Sequence, residues 1–141
     1  MNYINELLKY TLAFCTGLFL LTYVLNIPKI LTNNTKLVNE YYIDNFAVNV
    51  PLDYILVLLY LLVGLFVIYI LKIKTILAKI TTVVLVTGFL TMCFGIYFLS
   101  RPESNKFFSR WFHNVKFSAA IYDMILLGTI YSMYLFLDKY V

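Results

Sequence analysis

Asp123 is the residue most able to do chemistry. It is the only charged side chain in the apolar stretch 117–137, FSAAIYDMILLGTIYSMYLFL. A carboxylate near the centre of a bilayer costs about 2.5–3.5 kcal/mol on insertion scales. Such a group faces a bundle interior and has a partner there. Thr22 and Thr91 fall at a similar depth by residue counting, and Arg101, Arg110, His113 and Lys116 approach from the nearer membrane face. Two chemistries follow. Asp123 either binds a proton or ion in a transport site, or it is structural, neutralised by protonation or by a cation, Arg110 first among them, a pair that would lock a surface helix onto the bundle. The structural role is the expectation carried forward. A second acid, Asp53, stands in Val50-Pro51-Leu52-Asp53. That order reads as a helix start, with Pro in the first turn and Asp at the positive helix end.

Enzymatic arrangements find little support. Tyr122-Asp123 resembles the Tyr-Asp half of the presenilin-type intramembrane aspartyl protease pattern, but the Gly-x-Gly-Asp half is absent. Asp53 lies in Pro-Leu-Asp-Tyr at a span's edge, whereas paired catalytic acids must lie together. One histidine, two distant cysteines and no H-E-x-x-H leave too few convergent metal ligands. Neither a Ser/His/Asp spacing nor a phosphate-binding Gly loop appears. The expectation is a non-enzymatic protein without a cofactor.

The elements that must position these residues follow from composition. Of 141 residues, 62% are hydrophobic and 13% charged, against about 45–50% and about 25% in a soluble domain. Lipid is therefore the expected solvent. Four apolar runs, 8–26, 52–71, 80–99 and 117–137, approach the roughly 20 residues needed to cross a bilayer. The predicted fold is all-α, a single four-span transmembrane bundle over residues 1–141. The first run carries no small-x-small cleavage pattern and is read as an uncleaved span. Cys15 and Cys93 fall at depths differing by roughly 15 Å, too far for a disulfide.

Between the third and fourth runs lies RPESNKFFSRWFHNVK. Phe107, Phe108, Trp111, Phe112 and Val115 fall on one helical face; Lys106, Ser109, Arg110, His113 and Asn114 fall on the other. This predicts an interfacial amphipathic helix near 104–116, with Phe107, Phe108, Trp111 and Phe112 as lipid-interface anchors. Leu37, Val38, Tyr41, Tyr42 and Phe46 repeat at helical spacing and suggest a second, weaker one. Asn33-Asn34-Thr35 matches a glycosylation sequon and also reads as an Asn-rich turn. In the third run Thr81, Gly88, Thr91 and Gly95 share a stripe suited to close helix packing.

Four spans place both termini and the 72–79 turn on one membrane face, and both longer loops with Asp53, Arg101, Arg110 and His113 on the other. Basic residues split five to six between the faces, recovering all eleven, so charge barely biases orientation; the dense 72–79 turn favours cytosolic termini. The net charge of +4 flanks apolar runs and forms no continuous patch, which excludes a nucleic-acid footprint.

VPLDY, FFSRWFH and the following YD resemble small polytopic membrane proteins of nucleocytoplasmic large DNA viruses. The resemblance covers the start of the second span and residues 107–123. It implies a virion internal membrane, or the host endomembrane that supplies it. The function expected is a structural or scaffold component of a membrane, touching lipid and a second copy or another membrane or capsid protein. The alternative is a small ion or proton channel or transporter using Asp123.

Overall fold

The computed structural model describes residues 2–141. The described residues form seven α-helices, with no strand among them. α1 (Tyr3–Leu18) continues through a π turn, Phe19–Val24. α2 (Ile27–Thr32), α3 (Thr35–Asn39) and a second π turn, Glu40–Asp44, follow, then α4 (Phe46–Leu71), α5 (Ile76–Leu99), α6 (Phe107–Val115) and α7 (Ser118–Tyr140). Tyr3–Val24, α4, α5 and α7 are each long and apolar enough to cross a membrane. Phe66, Leu85 and Phe89, exposed by 62%, 61% and 68%, point outward. Water would disfavour such a surface and lipid does not. The chain is an all-helical, multi-pass membrane protein.

Three of the four spans start earlier than the apolar runs suggest, for local reasons, while the fourth starts within a residue of its run. Asn2 caps α1 by accepting the Ile4 N–H at 3.1 Å, and Thr75 caps α5. The start of α4 is the larger correction. It opens at Asn45, whose carbonyl accepts the N–H groups of Val48 and Asn49. Pro51 therefore sits inside the helix and Asp53 lies past its first turn, so the helix-start role expected for Asp53 does not hold. α2 and α3 are separated by Asn33, whose φ of 50° reverses the chain, and Asn34 caps α3 through the Leu37 N–H.

α7 packs between α1 and α5, and α4 packs on α5 and meets α1 at Tyr54, whose carbonyl accepts the Tyr10 hydroxyl at 2.6 Å. Small residues set these distances. A Cβ on Gly17 would stand 2.9 Å from Ile130 Cγ1, and one on Gly88 2.7 Å from Met124 Sδ. Gly88 and Thr91 are buried as the stripe predicts, but Thr81 is exposed and the fully buried Thr87 takes its place. Gly95 faces the Phe112 ring of α6 instead of another span. At the terminal end Lys9 Nζ reaches Asp138 at 2.7 Å and Glu6 at 3.1 Å, and the Tyr134 hydroxyl donates to Glu6. The opposite end, reached by both longer connections, is capped by α2, α3, the second π turn and α6.

Candidate functional site

Under this cap lies a cavity of about 590 Å³ whose walls include both membrane acids, Asp53 from α4 and Asp123 from α7. Asp123 is half-buried, because it stands on the cavity wall. Thr91 Oγ1 donates to its Oδ2 at 2.7 Å, a partner anticipated by depth. Asp53 is 9% exposed. Tyr41 donates to its Oδ1 at 2.5 Å, while its Oδ2 is buried without a protein partner. Tyr42 is held beside them through a hydroxyl chain: Thr22, Tyr122 and Tyr42 are linked by two hydrogen bonds of 2.9 Å. Burial first, and then the nearby Asp53, push the Tyr41 hydroxyl well above its usual range, so it stays a neutral donor.

None of the cations expected to neutralise Asp123 does so. Arg110 is bidentate to Glu40 of the second π turn, at 2.8 and 2.5 Å. That hydrogen-bonded pair holds the Glu40 carboxyl below its ordinary value and raises the arginine. Planar fork-on-carboxylate geometry makes this a strong, specific pairing. His113 Nε2 meets the Phe98 carbonyl at 3.1 Å, which makes it the protonated nitrogen. Arg101 stacks on Tyr97, 3.8 Å from the ring centroid, and donates to the Tyr97 carbonyl at 3.0 Å. Of the five residues read as a polar site, Asp53 and Asp123 come together. Arg101, Arg110 and His113 are engaged elsewhere.

The aromatic residues of α6 also turn inward. Trp111 and Phe112 are 8% and 6% exposed, and Phe107 and Phe108 are half-buried. All four line the cavity, so protein covers much of the surface expected to anchor in lipid. The Phe112 ring stacks on Phe98 with centroids 5.5 Å apart, and Phe107 lies 4.8 Å from Tyr41. An apolar helix face takes the nearest apolar surface, and the end of α5 with the second π turn offers one. Ser109, placed on the polar face by spacing, is buried and accepts the Ser104 N–H at 2.9 Å.

The cavity opens sideways. Leu52, Cys93, Phe94 and Tyr97 line it and are also exposed on the outer surfaces of α4 and α5. Beneath it Leu61, Val83 and Ile130 are buried, and Gly64 lets α4 approach Val83 closely. Among the described residues no three His, Cys, Asp or Glu side chains cluster as metal ligands. Sequence reasoning missed Glu40, Tyr41, Tyr42 and Tyr122 as site residues. Tyr41 and Tyr42 are visible in the sequence as apolar repeats and Tyr122 as half of a Tyr-Asp pattern, although a buried hydroxyl needs a partner.

No protein-family model, curated protein or solved structure matches the chain.

Proposed function

We propose that this multi-pass membrane protein takes a small solute into the Asp53–Asp123 cavity, as a non-enzymatic binding or carrier protein. One observation carries the reading: Asp123 stands on a cavity wall with a threonine for a partner, while Arg101, Arg110 and His113 are engaged elsewhere. A scaffold needs Asp123 paired in dry packing. A cavity of this size falls in the range of ligand sites, roughly 300–1,000 Å³. The buried packing under the cavity favours a blind pocket over a continuous pore. The terminal half alone would suit a structural component of a viral or host membrane, and that reading gains if the pocket proves inert.

Trp111 is the only tryptophan and lines the cavity, so its fluorescence reports on this site. In lipid nanodiscs, small neutral, anionic and cationic solutes are titrated against it. The expected result is a saturable change with at least one class, lost when Cys93 at the rim is blocked by a bulky maleimide in a Cys15→Ser background. No saturable response from any class returns the chain to the scaffold reading.

A further inference from the structure

Two features of the cavity specify its ligand beyond size. The first is a surplus of acceptors. An ionised carboxylate accepts hydrogen bonds and donates none, and Asp53 and Asp123 each receive one from protein, from Tyr41 and Thr91. Asp53 Oδ2 is left buried and unpartnered on a side chain that lines the cavity. Leaving a buried polar atom unpaired is costly. The second is the rest of the wall, which is largely aromatic: Tyr41, Tyr60, Phe107, Trp111 and Phe112 among others. Ring faces attract cations, and organic cations most when desolvated. A small hard metal ion would need several oxygen ligands, which aromatic walls do not supply.

The rim residues Leu52, Cys93, Phe94 and Tyr97 belong to helices long and apolar enough to span a membrane, near the end where Arg101 stacks on Tyr97, so in a bilayer the opening would lie against lipid close to headgroup level. A solute using it must first dissolve in lipid. Resting on the solute-binding reading above, we infer that the cavity takes a hydrophobic amine in its protonated form, entering sideways between α4 and α5, with its ammonium donating to Asp53 and Asp123 and its apolar body against the rings. An anion would meet two acids, and a neutral alcohol has a single hydrogen to share between them.

The test compares octylamine, octanol and octanoate, three probes with the same chain and different heads. Each is titrated into the protein in neutral-lipid nanodiscs, with Trp111 fluorescence as the readout. Protection of Cys93 from maleimide, in the Cys15→Ser background, is the second readout and needs no change at the acids. Octylamine is expected to saturate both signals and to bind about tenfold or more tightly than octanol, the scale of one charge-assisted hydrogen bond. Octanoate is expected to do neither. Asp53→Asn with Asp123→Asn should erase the preference for octylamine while the octanol response persists, which also reports an intact pocket. Equal binding of octylamine and octanol by the wild type overturns the amine assignment and leaves a solute pocket. An octylamine preference surviving in the double variant overturns the role of the acids. No saturable signal from any probe overturns the pocket reading as well.

Discussion

The terminal half of the bundle and the capped half are both built from apolar helices, yet the terminal half bears an open groove between α5 and α7 while the capped half encloses a cavity. Side-chain shape accounts for the difference. In and toward the terminal half, Gly17 lies under Ile130 and Gly64 under Val83, so backbones approach and aliphatic branches fill the space between them. In the capped half the contacts are rings: Tyr41, Phe98, Phe107, Phe108, Trp111 and Phe112 meet at centroid distances of 4.8–6.4 Å. Flat, rigid rings hold helices apart and do not interdigitate as branched aliphatics do. The two acids deepen the contrast, because apolar packing over an unneutralised carboxylate is costly. Hydrophobicity therefore locates the bundle, and side-chain shape decides which part of it has room for a guest.

The largest expected effect tests that contrast directly. Ile130→Ala removes a side chain that is fully buried and should lower stability by about 2–3 kcal/mol, mostly as lost packing. Phe108→Ala opens a wall already facing empty space and should cost less than about 1 kcal/mol despite deleting more atoms. Thermal unfolding in detergent measures both; equal losses would break the distinction between the halves.

A smaller effect separates two threonines four residues apart on α5. Thr91→Val takes the hydroxyl from Asp123 and should cost about 1–2 kcal/mol. Thr87 donates only to the Val83 carbonyl of its own helix, at 2.8 Å, so Thr87→Val should be close to neutral. The same unfolding assay resolves them, and a reversed order would mean that Asp123 does not depend on Thr91.

The smallest effect concerns the cap. Glu40 and Arg110 are each about one-third exposed, so solvent screens the pair and limits what it contributes. Glu40→Gln should speed hydrogen exchange in α6 and leave α7 exchange unchanged. Because the arginine holds Glu40 below its ordinary value of 4.5, the pair's contribution is complete above that pH and is lost as pH falls through the lowered value. Wild-type α6 exchange, corrected for intrinsic rates, should therefore accelerate below about pH 4.5, and the Gln variant should show no such step. An identical acid step in the variant would assign it to another group.

The spans are legible in the sequence because each is a long apolar run that needs no knowledge of its neighbours. The depth match of Thr91 and Asp123 is legible by the same counting. Asp53 is not, because Pro51 mimics a helix start and the true start depends on Asn45 receiving two N–H groups. The partner of Arg110 is not legible either, since Glu40 and Asp123 are both acids within reach of a surface helix and only the tertiary fold decides between them. The aromatic face of α6 has the spacing of a lipid anchor; nothing in that spacing says whether lipid or protein will cover it.

The separation between Glu40 and Arg110 also bears on how the molecule is made. Tyr41 and Asp53 lie 12 residues apart and can meet as soon as α4 enters the membrane. Arg110 emerges 70 residues after Glu40, roughly 4–14 s later at ordinary rates of chain synthesis. During that interval Glu40 has no arginine and the aromatic wall of α6 does not yet exist. The nascent chain therefore passes through a stage with Glu40 and Asp53 uncovered, and the pocket is completed only when the final hairpin brings Asp123.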